Sequence, residues 1–234
     1  MGIFDSIFGL NEDDPKAWFK RGNEFLNLGQ YGSALDFYAK ALKLNPEFSE
    51  AWYNRGHVLL KLGRYDDAVA SFDKVIKINP GYFLAWYNRG NALYNLGRND
   101  EAITSFDKAI EINPDSSEAW LNRGLAYINL NLYVEALKSY DRAIKINPDS
   151  SEAWWNRGRA LDDLRRYPDA LVSYENVLKI NPDDSKAWVN RGNDLYYLGR
   201  NGEAITSYDK AIEIDPDNSM ARRNRERIQS NRLN

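Results

Sequence analysis

Six tryptophans in this chain are separated by the same interval of 34 residues: Trp18, Trp52, Trp86, Trp120, Trp154 and Trp188. Four other positions keep the same register. A Gly follows each Trp by four residues, an Ala by sixteen and an aromatic residue by twenty, and a Pro closes each interval. A fixed period of this length is typical of architectures in which each unit buries its apolar surface by stacking on its neighbours. The period therefore predicts a solenoid.

Each interval contains two apolar stripes at helical spacing. In residues 49–82 the first stripe carries the Trp and the Gly, and the segment "LGRYD" interrupts the pattern at Gly63. A second stripe that includes Phe72 ends before Pro80, which cannot continue a helical hydrogen-bond ladder. The interval therefore predicts a pair of helices joined by a short turn.

The Trp, Gly, Ala, aromatic and Pro positions resemble the tetratricopeptide repeat family over about residues 15–218. One departure recurs, because an Arg stands before the Gly where the family usually has Leu. The resemblance implies an all-α fold, a right-handed α-α superhelix of helix-turn-helix repeats with a C-terminal cap helix. The repeats are predicted at 15–48, 49–82, 83–116, 117–150, 151–184 and 185–218.

The two ends of the chain depart from the repeat. Residues 219–234 keep the helical spacing but place Arg222 at the Trp position, so we expect a cap helix with a polar outer face. Residues 1–14 predict a short amphipathic segment. That segment is compatible with capping the first repeat, docking into a neighbouring molecule or touching a membrane surface.

Composition argues against several classes of chemistry. The 234 residues include no Cys and a single histidine, His57, which excludes thiolate chemistry and metal sites built on several histidines. No phosphate-binding glycine loop is present. We expect no catalytic residue, no metal and no cofactor. Because no run reaches the roughly 18 apolar residues of a membrane span and the N-terminus lacks a basic leader, a cytoplasmic protein is expected.

An Asn follows each Trp from the second repeat onward by two residues, which places it about 200° around the helix from the Trp. In the resembling family the first helices line the concave surface. A carboxamide donates and accepts at once, so a row of them suits an extended peptide backbone. A similar row lines the repeat region of O-linked N-acetylglucosamine transferase. The alternative is that each Asn bonds the adjacent repeat or water. The row comprises Asn54, Asn88, Asn122, Asn156 and Asn190.

Variable side chains near this row are expected to set sequence preference. Exposed aromatic residues are typical interface anchors, although those directly after the Trp could instead pack between repeats. The predicted peptide-binding residues beside the row are Tyr53, Tyr87, Trp155, Asn91, Arg159, Asn193, Tyr94, Asn129 and Tyr196.

The Arg beside each Asn lies about 60° from the Trp, at the border of the core. We expect its stem to cover the Trp and its guanidinium to pair with an acid on a second helix. Acids occur there at a constant position, which in the first repeat is occupied by Ala39: Asp73, Asp107, Asp141, Glu175 and Asp209.

These patterns predict a non-catalytic protein–protein interaction scaffold that binds an extended peptide or protein segment. Self-assembly is an alternative, in which a terminal segment of one copy fills the groove of another and gives a homo-oligomer. An RNA-binding or enzyme-accessory module is a further alternative, disfavoured as a nucleic-acid binder by the formal charge of -3.

Overall fold

The structure is a computed structural model, and it describes residues 13–230. These residues form thirteen α-helices and no β-strand, which confirms the expected all-α fold. They divide after Pro114 into two compact units. Most of the predicted N-terminal segment, and residues 231–234 of the predicted cap, lie outside the described residues.

Each unit is a series of antiparallel helices in which every helix packs on the next. The first unit contains α1 (Pro15–Asn27), α2 (Tyr31–Leu44), α3 (Ser49–Lys61), α4 (Tyr65–Ile78), α5 (Phe83–Asn95) and α6 (Asn99–Ile112). The second contains α7 (Ser117–Asn129), α8 (Tyr133–Ile146), α9 (Ser151–Asp163), α10 (Tyr167–Ile180), α11 (Ser185–Tyr197), α12 (Asn201–Ile214) and α13 (Ser219–Ser230).

The turn inside a helix pair reverses the chain through one residue with positive φ. Gly63 has φ +70°, and the Arg64 amide donates to the Leu59 carbonyl at 2.9 Å, which closes α3. Asn131 and Arg165 take the same left-handed conformation in the second unit, with φ of 58° and 56°. Glycine is therefore favoured but not obligatory at this position.

The repeated Trp forms a hydrogen bond that fixes the turn between successive helix pairs. The Trp52 indole Nε1 donates to the Pro46 carbonyl at 2.8 Å, and three later tryptophans bond the preceding proline carbonyl at 2.8–2.9 Å. The Pro that ends one helix thus supplies the acceptor for the polar end of the next Trp. The three later pairs are Trp86–Pro80, Trp154–Pro148 and Trp188–Pro182.

The two helices of a pair approach most closely at the repeated Gly. A Cβ atom placed on Gly90 would lie 2.6 Å from the ring of Phe106, well inside van der Waals contact. The ring itself is fully buried. The same approach joins Gly56 to Phe72 and Gly192 to Tyr208. Glycine is required here for space rather than for backbone conformation.

Helix α13 packs on α12 at the C-terminal end of the described residues. Ala221 and Ile228 are buried and join the apolar cluster that contains Tyr208. The opposite side of α13 exposes Arg222 and Arg223 to solvent. A helix with one apolar and one basic side can end the stack without exposing the core.

We expect Gly90→Ala to lower the free energy of unfolding by about 1–3 kcal/mol, because the added methyl group must displace the Phe106 ring. Gly32→Ala is the matched control. Gly32 lies in α2 with no atom within 4 Å of the added carbon, so its substitution is expected to be neutral or to stabilise by up to about 1 kcal/mol. Urea unfolding of both variants tests this, and equal midpoints would contradict it.

Candidate functional site

The repeated Arg braces successive helix pairs, as the sequence predicted. Four such arginines contact the acid sixteen residues earlier, with nitrogen–oxygen distances of 2.7–3.2 Å and side chains only 17–29% exposed. The guanidinium groups are therefore committed to structure rather than free for a ligand. The pairs are Arg89–Asp73, Arg157–Asp141, Arg191–Glu175 and Arg225–Asp209.

A second partner of these arginines was missed in the sequence. The Arg89 Nη1 atom donates to the Ser105 hydroxyl at 2.7 Å, and Arg55, whose acid is replaced by Ala39, donates to Ser71 at 2.6 Å. A serine occupies this position nineteen residues after the Trp in five of the six repeats, and all five are fully buried. The same period that revealed the Trp would have revealed them: Ser71, Ser105, Ser139, Ser173 and Ser207.

In the first unit, the predicted Asn row is bound to neighbouring side chains. Asn54 donates to the Oδ1 atom of Asn23 at 2.8 Å, and that atom also accepts from the Tyr38 hydroxyl at 2.7 Å. Burial raises the pKa of Tyr38 to about 12, so the hydroxyl keeps its proton at neutral pH. Asn88 donates to the Tyr53 hydroxyl at 3.1 Å. These amides connect adjacent first helices.

The second unit repeats this arrangement at its C-terminal end. Asn224 donates to the Oδ1 atom of Asn193 at 3.0 Å, which also accepts from the Tyr208 hydroxyl at 2.9 Å. Asn156 instead donates to the Glu152 carbonyl of its own helix at 3.0 Å. Asn122 also has a partner within the protein.

Asn190 differs from these amides. The residue that would accept its hydrogen bond, five positions after the Trp of the preceding repeat, is Arg159 instead of Asn. Arginine has no acceptor atom. Asn190 is half-buried, and its side chain makes no hydrogen bond with any residue in the range 13–230.

A cavity of about 430 Å³ opens beside Asn190. It brings together three of the predicted site residues, Trp155, Arg159 and Asn190. Its other lining residues were not among the predicted site residues. Lys186 and Met220 stand two residues before a Trp position, where the repeats vary, and Asn218 lies in a turn. The remaining lining residues are Lys186, Val189, Asn218 and Met220.

The other predicted aromatic residues pack against the protein. Tyr53 meets Tyr82 edge-on at 5.3 Å, and Tyr87 stacks on Phe83 at 5.9 Å. Arg227 of α13 lies over Tyr196, with its Cζ atom 4.6 Å from the ring centre. Tyr53 and Tyr87 therefore contact rings of their own repeats, and the Tyr53 hydroxyl also accepts a hydrogen bond from Asn88 of the next repeat. Three predicted residues remain. Asn91 and Tyr94 are half-buried, and Asn129 is exposed.

A pair of carboxyl groups, Asp194 buried and Asp162 half-buried, lies one turn beyond the cavity. The Tyr174 hydroxyl donates to Asp162 at 2.7 Å, and Asp194, which is 1% exposed, hydrogen-bonds Asp162. Burial, followed by the bond to Asp162 and its charge, raises the pKa of Asp194 to about 9. Burial also raises the pKa of Asp162, while Arg159 lowers it. Asp194 therefore keeps its proton at neutral pH and donates it to Asp162.

Within residues 13–230, no group of three or more His, Asp or Glu side chains is arranged to hold a metal ion. None of the helices in this range is long and apolar enough to cross a membrane.

Comparison with known proteins identifies the family. Residues 19–83, 87–151 and 121–186 match one sequence model described as tetratricopeptide repeat, and residues 185–218 match another. No curated protein sequence matches significantly. The helix pairs and their braces define an all-α helical-repeat protein. The chain belongs to the tetratricopeptide repeat (TPR) family, whose fold is generally a non-catalytic interaction module.

Solved structures share the fold. The chain is similar to YrrB, a TPR protein with an unusual peptide-binding site, with 25% identity and a TM-score of 0.71 over 81% of this chain and 97% of YrrB. MamA from Desulfovibrio magneticus is 22% identical, with a TM-score of 0.69 over 73% of this chain and 96% of MamA. The C-terminal part of a TPR protein from Cytophaga hutchinsonii is 18% identical, with a TM-score of 0.79 over 91% and 88%.

We expect Asp194→Asn to flatten the pH dependence of stability. The raised pKa means that the folded chain holds a proton that an unfolded Asp releases above about pH 4. The contribution of Asp194 to the free energy of unfolding is therefore fully present below about pH 4 and is lost as the pH rises toward 9. The total loss is on the order of a few kcal/mol. Asn keeps a donor for Asp162 without titrating.

Urea unfolding between pH 5 and 9 measures this effect. Asp183→Asn, which removes an exposed carboxylate, is the control and is expected to follow the wild-type slope. Parallel curves for wild type and the Asp194 variant would show that Asp194 is already ionised in the folded chain.

Proposed function

We propose that this chain is a non-catalytic scaffold that captures an extended peptide segment of a partner protein. The proposed site is the cavity beside Asn190 in the second unit. The observation that carries the proposal is an amide at that cavity without an internal partner, in a row whose equivalents Asn54, Asn88 and Asn224 are hydrogen-bonded inside the protein.

The composition of the cavity suits a peptide. Asn190 offers a donor and an acceptor, which matches the amide and carbonyl of a peptide group. Trp155, Val189 and Met220 provide apolar wall for a side chain. A volume of about 430 Å³ falls in the usual range of small-ligand pockets, which is enough for two or three residues of an extended chain. The similarity to YrrB, whose peptide-binding site is unusual, supports the same class of ligand.

Binding is favoured over catalysis at this site because of the side chains that line it. The lining contains two cations, two amides and three apolar residues, and neither a carboxylate nor a histidine. A proton transfer at neutral pH requires a group that titrates near that pH. The nearby acids Asp162 and Asp194 do not line the cavity: Asp162 accepts a hydrogen bond from Tyr174, and Asp194 hydrogen-bonds Asp162.

We expect Asn190→Ala to weaken peptide binding about three- to tenfold, since one hydrogen bond contributes about 0.5–1.5 kcal/mol. The probe is obtained by selecting random dodecapeptides displayed on phage against the immobilised chain, followed by synthesis and fluorescence anisotropy. Asn54→Ala is the matched control, because its amide is bonded to Asn23 and its loss affects stability rather than affinity.

The selection has a clear negative result. If no dodecapeptide is enriched above an uncoated surface, or if Asn190→Ala and Asn54→Ala weaken binding equally, capture of peptides at this cavity is wrong.

A further inference from the structure

We infer that the cavity binds an acidic side chain, Asp or Glu, of the captured peptide, with an apolar side chain next to it. This inference rests on the proposed function and specifies the class of partner. It follows from the charge of the cavity, from the fixed position of one of its cations and from the apolar surface beside them.

The cavity is lined by two positive side chains that make no close ion pair within the described residues. Arg159 and Lys186 are exposed, and neither forms an ion pair with any residue between 13 and 230. The neighbouring arginines that brace the helix pairs are instead bonded to carboxylates. Arg157 pairs with Asp141, and Arg191 pairs with Glu175. The unpaired charge therefore distinguishes the cavity from the braces around it.

Arg159 is held in place by an aromatic ring. Its Cζ atom lies 5.0 Å from the centre of the Trp155 ring, one helical turn earlier in α9. This stacking restricts the side chain and leaves the edge of the guanidinium available, so less rotational freedom is lost when a carboxylate binds. A guanidinium edge matches the two oxygens of a carboxylate.

Lys186 adds a second cation from the next first helix. It lies in α11 one turn before Asn190, so the positive charge and the amide line the same cavity. Asp162 interacts electrostatically with Arg159 and accepts a hydrogen bond from the Tyr174 hydroxyl. That carboxylate offsets part of the charge of Arg159 without forming a close ion pair, and no carboxylate lines the cavity itself.

Apolar atoms complete the site. Val189 is 4% exposed and forms part of the wall, whereas Met220 is 50% exposed at the rim of the cavity. Methionine adapts its shape to different side chains. Two cations beside such a surface fit one carboxylate with an apolar neighbour better than a nucleic-acid backbone, which requires a longer basic track.

The same phage selection tests this inference, with added variants. Peptides enriched on the wild-type chain are expected to share an Asp or Glu at one position, adjacent to an apolar residue. Replacing that acid by its amide in a synthetic peptide should weaken binding about tenfold, as should Arg159→Gln or Lys186→Gln in the protein. Arg159→Gln should cause no further loss with the amide peptide, because the two changes remove one interaction.

Lys179→Gln is the control for a change of charge elsewhere on the second unit. Lys179 is exposed on α10 and does not line the cavity, so its substitution should change affinity less than about twofold. Circular dichroism and thermal unfolding confirm that all variants remain folded.

The outcomes separate this inference from the proposed function. If no peptide is enriched, peptide capture itself fails. If peptides are enriched without a shared acid, or bind Arg159→Gln and wild type equally, the acidic ligand is wrong while peptide capture stands. A uridine dodecanucleotide that displaces the peptide at equal concentration, and loses affinity in Arg159→Gln, would assign the cavity to a nucleic acid and overturn the inference.

Discussion

The contact between a glycine on one helix and an aromatic ring on the next determines much of this structure. At Gly90 there is no space for even a methyl group beside Phe106, so the two helices lie as close as their backbones and one ring allow. That separation brings the Arg of the first helix within reach of the buried Ser of the second. The same Arg then reaches back to the acid of the preceding pair. The separation of the two helices in a pair thus determines how that pair aligns with the preceding pair.

This coupling assigns different roles to neighbouring residues on one helix. In "AWYNRG" at 85–90, the Ala is buried, the Arg braces and the Gly permits close approach. The Asn links to the preceding first helix wherever an acceptor stands there, as Asn23 does for Asn54. Where Arg159 replaces that acceptor, the link is missing and Asn190 faces a cavity. A single change in the repeat can convert a structural amide into one available to a ligand.

The period of 34 residues was sufficient to predict the helix pairs and the Arg–acid braces, because both depend on positions that keep their register, although Ala39 removes the acid from the first repeat. It was not sufficient to predict the partners of the Asn row. Helical angle places Asn54 opposite the core, but whether a neighbouring side chain accepts its hydrogen bond depends on variable residues of the preceding first helix, such as Asn23 for Asn54 and Tyr53 for Asn88. The contact between Asp162 and Asp194 was not predicted for a similar reason. The two acids come from different repeats and lie next to each other only in the folded chain.

Asn190 differs from its equivalents because its side chain has no hydrogen-bond partner within residues 13–230, and side-chain amide NMR measures that difference directly. In a titration of isotope-labelled chain with a selected dodecapeptide, the Asn190 amide resonances should shift and saturate with the binding curve. Those of Asn54 and Asn224, which are bonded to Asn23 and Asn193, should stay in place. Saturable shifts at Asn54 and Asn224 with an unmoved Asn190 would contradict the account.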